Sequence, residues 1–324
     1  MTNKYPLISI IIPVYNEEEY LPYCLDSLIK QDYPKDCYEI IIVDNESTDS
    51  SVEIAKNKGV SVISSDADYV GGVRNAGVKV CKGQVLVFID SDCVANESWI
   101  STGVELLLNS TKSAVGGLYL LRESPSFFEK YWVLDNGAAK KMDCSLLGGC
   151  IFVNKSDFIA IDGFAENLTA GEDSQLSKDL CKKQSGFLVS PSLSVVHLGY
   201  PRGIRSFSER QIWHSSSFTQ NLRASILEPM FVFILLHSIL AIISVAFFLC
   251  YEPSSALAVA SLFFVLPLVL SLKRVKSANC WKFAAKHIFQ IYWVDFIYLC
   301  ARDFGVMASL FKKVLGLKLG KSRK

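Results

Sequence analysis

The stretch Val85-Leu86-Val87-Phe88-Ile89-Asp90-Ser91-Asp92 decides how the chain is read. Its first five residues are apolar and mostly β-branched or aromatic, which fits a strand covered on both faces. Two carboxylates then leave the strand end together. Working outward, residues 7–12, 38–43 and 60–63 form three more short runs of strand character. Between them, 17–31 place Leu21, Cys24, Leu25 and Leu28 at helical spacing, 71–81 predict a helix, and another begins near Glu97. Ser47 or Thr48 is the expected cap of a helix running to Lys58. Strands alternating with helices predict βαβ units and a mostly parallel α/β sheet with right-handed crossovers. Ligands of such sheets bind beyond the carboxyl ends of the strands. Those ends are polar here: Pro13-Val14-Tyr15-Asn16-Glu17, Asp44-Asn45-Glu46-Ser47-Thr48-Asp49 and Asp90-Ser91-Asp92.

Several familiar site types are excluded. Gly71-Gly72 is followed by Arg74 rather than by a Lys-Ser/Thr pair, so there is no Walker-type phosphate loop. No G-x-G-x-x-G follows the first strand, and no G-x-S-x-G elbow occurs. The 324 residues carry 33 Lys/Arg and 32 Asp/Glu, a net charge of +1 that argues against a dedicated nucleic-acid binder. Hydrophobic residues make up 50%, too many for a disordered chain. Ten cysteines have no C-x-x-C spacing and read as reduced, mostly buried thiols of a reducing compartment.

Charge is unevenly spread. Residues 230–324 hold 12 basic and 3 acidic side chains, whereas 1–229 hold 21 and 29. Segments 229–251 and 253–272 contain no Asp, Glu, Lys or Arg. Each is long enough to cross a hydrocarbon core of roughly 30 Å as a helix. Lys273, Arg274, Lys276, Lys282 and Lys286 follow, which puts that loop, and the N-terminal domain with it, on the cytoplasmic side. Segment 287–311 is apolar but carries Asp295, Arg302 and Asp303. It is expected to lie in the interface as an amphipathic helix ahead of a basic tail, a third span being the alternative. The expected organisation is an α/β domain over 1–225 and a membrane domain over 226–324, in a multi-pass protein of the cell (inner) membrane.

Two carboxylates two residues apart can share one hard divalent cation, Mg2+ or Mn2+, whose other positions take phosphate oxygens and water. A helix cap beside a solvated acid is the competing reading of the same pair. Further on, Gly171-Glu172-Asp173 precedes a helical run over 174–183. Acids at a helix start suit the macrodipole, and they also place a base in a cleft. Gly148-Gly149, ahead of them, lets a ligand approach the backbone closely.

Residues 8–16, the 44–49 run, Gly72-Val73-Arg74-Asn75-Ala76-Gly77, Phe88-Ile89-Asp90-Ser91-Asp92, Gly148-Gly149 and Gly171-Glu172-Asp173 occur in an order and spacing that resembles the family 2 glycosyltransferases of the membrane-anchored bacterial or archaeal type. The likeness covers about residues 6–220. It implies the GT-A fold, an inverting displacement at the anomeric carbon, a nucleotide-sugar donor (most commonly a UDP-sugar) and a Mg2+ or Mn2+ ion. By position it implies that Pro13, Tyr15, Glu17, Asp44 and Arg74 hold the donor, with Asp90 on its ribose or on a metal-bound water. Asp92 is the implied metal ligand, with Asp90 and His197 on the metal or phosphate side. Asp173 is the implied catalytic base, with Glu172 beside it. Arg202 and Arg205 are expected to close over the pyrophosphate, lipid headgroups being their alternative partners. Gln211-Ile212-Trp213-His214 matches imperfectly the Gln-x-x-Arg-Trp element of processive members, which speaks against long-chain synthesis. With the membrane segment, this predicts transfer to a hydroxyl of a lipid-linked acceptor in cell-surface glycan or polysaccharide synthesis. A polyprenyl-phosphate glycosyltransferase making a lipid-phospho-sugar, and a non-catalytic membrane scaffold, are the alternatives.

Overall fold

The four runs of strand character become the parallel strands β1 (Ile8–Val14), β2 (Tyr38–Asp44), β3 (Ser61–Ser64) and β4 (Val85–Phe88). The computed structural model describes residues 5–134, 145–183, 186–220, 222–250 and 253–315. The further strands are β5 (Cys93–Val94), β6 (Ala114–Gly116), β7 (Tyr119–Leu120), β8 (Ile151–Asn154), β9 (Phe187–Val189) and β10 (Val195–His197). The helices up to residue 182 are α1 (Leu21–Ile29), α2 (Ser51–Asn57), α3 (Val70–Val80), α4 (Trp99–Asn109), α5 (Phe127–Val133), α6 (Lys155–Ile159) and α7 (Glu172–Lys182). After them come α8 (Ile204–Gln220), α9 (Leu222–Ser225), α10 (Pro229–Cys250), α11 (Pro253–Ala278) and α12 (Trp281–Val314).

The main sheet runs β3-β2-β1-β4-β8-β6-β9, with β8 antiparallel to both its neighbours and the other pairs parallel. Alternation along β1 splits its core in two. Ile8, Ile10, Ile12 and Val14 pack with α1 and α4, and Ile11 packs with α3, α6 and α7. Helices therefore cover both faces, which is why the central strands β1 and β4 are almost wholly apolar. A Cβ on Gly77 would stand 2.6 Å from Ile11 Cγ2, so α3 lies on the sheet at a distance that only glycine permits. A second, small sheet runs β5-β10-β7 and sets His197 opposite Cys93.

Two local expectations give way. Helix α1 starts at Leu21, not near Glu17, because the chain turns at Asn16 with a φ of 54°. Ser47 and Thr48 do not cap α2, which starts at Ser51. Ser47 Oγ instead accepts from the Asn16 N–H at 3.0 Å, and the Thr48 N–H donates to Asn16 Oδ1 at 2.7 Å. Their hydrogen bonds lock the loops after β1 and β2 together.

Packing divides the chain into two compact units, one made of the described residues within 5–122 and 145–199, the other of those within 123–134 and 200–315. The boundary lies at residue 199, earlier than the 225 expected from composition, because α8 packs along α12. Ser215 Oγ donates to the Arg302 carbonyl at 3.2 Å, and Gly305 is within close approach of Ile212. Segment 123–134 joins the same unit, with Tyr131 Oη 3.3 Å from His287 Nδ1.

Within the helical unit, one described helix is long and apolar enough to cross a membrane, Pro229–Leu249. The second expected span, 253–272, falls inside α11, and its side chains before residue 260 are not described. Helix α12 is packed against α8, α10 and α11, and its acids are matched there rather than turned to water. Buried Asp295 accepts from Ser271 Oγ at 2.7 Å and pairs with Arg274. Asp303 meets His237 Nδ1 at 2.5 Å and Ser238 Oγ at 2.8 Å. Most of the basic tail lies outside the described residues. All eight cysteines described as thiols are free.

Candidate active site

The carboxyl edge of β1, β2 and β4 is where side chains of opposite charge gather. Arg74, on α3 and almost fully buried, is the centre. Its Nη2 donates to Asp90 Oδ1 at 2.6 Å and its Nη1 to Glu172 Oε1 at 2.7 Å. Burial by itself would lower the Arg74 pKa, but Asp90 and Glu172 override it and hold the guanidinium above its ordinary value. A cation bridging two acids leaves the trio net negative. Buried charges of this kind persist only when well bonded.

Asp90 is tied on its other oxygen as well. Tyr119 Oη donates to Asp90 Oδ2 at 2.9 Å and accepts from the Gly149 N–H at 2.8 Å. Burial, then the Asp90 charge, push the Tyr119 phenol well above its usual range, so it stays a donor. A Cβ on Gly149 would stand 2.5 Å from Asp90 Oδ2, and one on Gly148 would stand 2.8 Å from Arg74 Nη2. The paired glycines admit these two side chains to the backbone.

Asp173 is different from its neighbour Glu172. Glu172 is buried on Arg74, whereas Asp173 is half-buried. Its Oδ2 accepts from the Gly148 N–H at 3.2 Å and its Oδ1 from the Ser174 N–H at 2.6 Å. Burial first, and the Glu172 charge second, raise its pKa above the usual carboxylate range, with the two backbone donors offsetting part of the rise.

Asp92 faces the small sheet. His197 Nε2 is 3.5 Å from Asp92 Oδ2, and Gly199 packs on the same carboxylate. Ligand atoms of Asp92, Cys93 and His197 all lie within 4.8 Å of one another. Burial, then Asp92 and Asp90, hold the Cys93 thiol well above its ordinary pKa, so it remains protonated. Carboxylate oxygen and imidazole nitrogen are thus the atoms that could hold a divalent ion of Mg2+ or Mn2+ type there.

Of the expected donor-side residues, Pro13 and Asp44 lie at the carboxyl ends of β1 and β2, and Tyr15 and Glu17 on the loop after β1, all on the same sheet edge. Asp44 is buried and accepts from the Ser47 N–H at 3.3 Å. The Glu17 N–H donates to Ser51 Oγ at 2.8 Å. Arg74, Asp90 and Glu172 are therefore joined by direct hydrogen bonds, Asp173 is held beside Glu172 on the Gly148 N–H, and Asp92 pairs with His197. Arg202 and Arg205 lie in the other unit, where Arg205, 90% exposed, pairs with Glu209 at 2.9 Å. Tyr119, Cys93 and Gly199 escape a reading of the sequence. Tyr119 sits on a two-residue strand with no periodicity, and the other two gain their place only through the pairing of β5 with β10.

Residues 9–154 match the model of glycosyl transferase family 2. Glycosyltransferase AglE of Haloferax volcanii is 36% identical over 123 residues, 36% of this chain and 40% of its own length. A Methanococcus voltae dolichyl N-acetyl-alpha-D-glucosaminyl phosphate 3-beta-D-2,3-diacetamido-2,3-dideoxy-beta-D-glucuronosyltransferase is 28% identical over 123 residues, 34% of this chain and 38% of its own length. The chain thus matches well under half the length of these curated relatives. Among solved structures, mannosyltransferase PcManGT from Pyrobaculum calidifontis, in complex with GDP-Man and Mn2+, superposes with a TM-score of 0.58 at 19% identity. It covers 93% of this chain and 87% of its own, and establishes the likeness as one of fold, the GT-A sheet flanked by helices.

Proposed function

We propose that this chain, whose residues 9–154 match the glycosyl transferase family 2 model, moves a sugar from a nucleotide-sugar donor to a hydroxyl of a lipid-linked acceptor, with inversion. The observation that carries this reading is the gathering of Asp90, Glu172 and Asp173 around Arg74 at the strand ends. Inversion by single displacement needs a base for the acceptor proton and a charge partner for the leaving diphosphate. Asp173 is the base. Its raised pKa makes it a stronger proton acceptor than an ordinary carboxylate, and the Gly148 N–H orients it. Glu172, committed to Arg74, is a positioning residue rather than a second base. Asp90, held on both oxygens, presents a fixed carboxylate edge to the donor ribose, while Pro13, Tyr15, Glu17 and Asp44 line the nucleotide.

Mg2+ or Mn2+, held by Asp92 and His197, supplies the positive charge on the leaving phosphates when bound. A base in reach of the acceptor favours a hydroxyl over a lipid phosphate, which is already an anion and needs none. The lipid-linked acceptor and membrane attachment rest on α10, whose apolar side chains face outward at Ile239, Val245 and Phe248. The Methanococcus voltae relative's dolichyl-linked substrate is consistent with that choice. The basic residues at the end of α11 and the start of α12 orient the catalytic unit to the cytoplasm.

The test is a panel of nucleotide sugars scored for thermal stabilisation and hydrolysis with Mn2+ and with chelator. One nucleotide sugar stabilising the protein only with metal is the expected result. A panel with no metal-dependent binder overturns the reading.

A further inference from the structure

The helical unit contains a cavity of about 180 Å³ that the transfer reaction does not use. Its floor is an aromatic stack, Trp132 on Tyr298 at 5.0 Å between ring centres. Its walls are Met230 and Leu270, and its rim is Lys273, Arg274 and Ser277. The volume is below the range of roughly 300–1,000 Å³ usual for a whole small-molecule ligand, so it fits one segment of a hydrocarbon chain.

The rim is positive and ordered. Arg274 lies 4.5 Å over the Trp132 ring and donates to Asp295 and to the carbonyls of Tyr131 and Trp132, which fixes it and offsets its charge. Lys273 has no such partner among the described residues and is exposed. Ser277 stands four residues on, so its hydroxyl and the Lys273 ammonium share one face of α11. Lys276, Lys282 and Lys286 follow with no acid among them. Met230 is the second residue of the apolar helix α10, so the cavity sits where that helix passes from polar to apolar surroundings.

We propose that this cavity binds one lipid phosphate, its hydrocarbon chain over Trp132 and Tyr298 between Met230 and Leu270, and its phosphate on Lys273 and Ser277. The inference rests on α10 lying in a membrane and on nothing in the transfer chemistry. The apolar walls reject free phosphate, and the basic rim favours an anionic headgroup over a neutral one.

The test uses the full chain in phosphatidylcholine nanodiscs, with chelator present and no sugar donor, so that failure of the proposed transferase activity does not bear on it. Radiolabelled farnesyl phosphate is the probe. Saturable binding of one molecule per chain is expected. Lys273→Glu and Met230→Trp, the second filling the cavity, should each weaken it about tenfold or more. Lys273→Ala, at an exposed position, guards against misfolding and should weaken it less than the charge reversal. Equal binding of farnesol, equal competition by inorganic phosphate, or binding that ignores these variants would each overturn the site. Failure of the chain to enter nanodiscs would overturn its premise and the site together.

Discussion

Two arginines, the almost fully buried Arg74 in the α/β unit and the partly buried Arg274 in the helical unit, meet the same physical demand in different ways. Arg274 has one carboxylate, Asp295, and spends its remaining donors on two backbone carbonyls and a tryptophan face. Its charge is matched one to one. Arg74 has two carboxylates, Asp90 and Glu172, and each is followed within two residues by another acid, Asp92 or Asp173. Its surroundings stay net negative, and those further acids are half-buried. A matched pair closes a packing problem. An oversubscribed cation beside half-exposed acids holds charge ready for a ligand that brings the missing counter-charge. What separates scaffold from site is the sign left over, more than burial itself.

The harshest test of that contrast is Asp173→Asn. It should lower kcat by about 10²–10⁴-fold while leaving donor affinity within about twofold. Steady-state rates beside equilibrium donor binding read both. Full turnover would remove the base and leave the α/β cluster as scaffold. The pH profile of the parent protein is linked to the same group. Only the deprotonated Asp173 accepts the acceptor proton, and its pKa is raised. Turnover should therefore fall as pH falls, with a midpoint above the roughly 3.9 of an ordinary aspartate. The shift should vanish from whatever rate remains in Asp173→Asn.

Next in size comes an exchange of the charges themselves. Arg274→Met with Asp295→Leu replaces a matched pair by apolar side chains, and the outcome should range from neutral to a gain of about 1–4 kcal/mol, with turnover kept. Arg74→Met alone strands Asp90 and Glu172 without a cation, and should cost about 3–5 kcal/mol along with turnover. Thermal unfolding in detergent and the transfer assay measure the two sides. Equal losses from both changes would break the distinction between the arginines.

How far the sequence reads follows the same division. The strands, their polar ends and the two acid pairs are legible because they are local: a five-residue apolar run and the groups that leave it need no partner to be recognised. His197 is placed against Asp92 by the pairing of β10 with β5, about a hundred residues apart, and no local pattern encodes that. Ser47 and Thr48 look like helix caps, yet they bond Asn16 because the loop after β1 is nearer than the helix they precede. Asp295 and Asp303 read as reasons to lay the 287–311 helix in the membrane interface, but each finds its partner on α10 or α11. Polar residues on long helices are ambiguous until the neighbouring helix is known.

A smaller effect probes the glycine pair. In Gly149→Ala the new Cβ would meet Asp90 Oδ2 at 2.5 Å and Tyr119 Oη at 2.6 Å. Neither atom can retreat without losing its partner, so the substitution should cost about 1–3 kcal/mol. A shift of Asp90 by a fraction of an ångström should also raise the donor KM several-fold. A variant with lowered Tm and parental KM would assign Asp90 to the scaffold.

The smallest and most discriminating change compares two tyrosines. Tyr119→Phe removes one donor from Asp90 and one acceptor from the Gly149 N–H, while Arg74 still holds the other Asp90 oxygen. Tyr131→Phe removes a single contact to His287 in the helical unit. Each should cost about 1–2 kcal/mol, so unfolding temperature will not tell them apart. Donor kinetics will. Asp90 freed on one oxygen can rotate about its bond to Arg74, which should raise the donor KM about two- to fivefold in Tyr119→Phe with kcat little changed. The second tyrosine touches no residue of the acid cluster, so Tyr131→Phe should keep the parental KM. Equal KM values in the two variants would mean that Arg74 alone fixes Asp90, and that the Tyr119 hydroxyl serves only the backbone at Gly149.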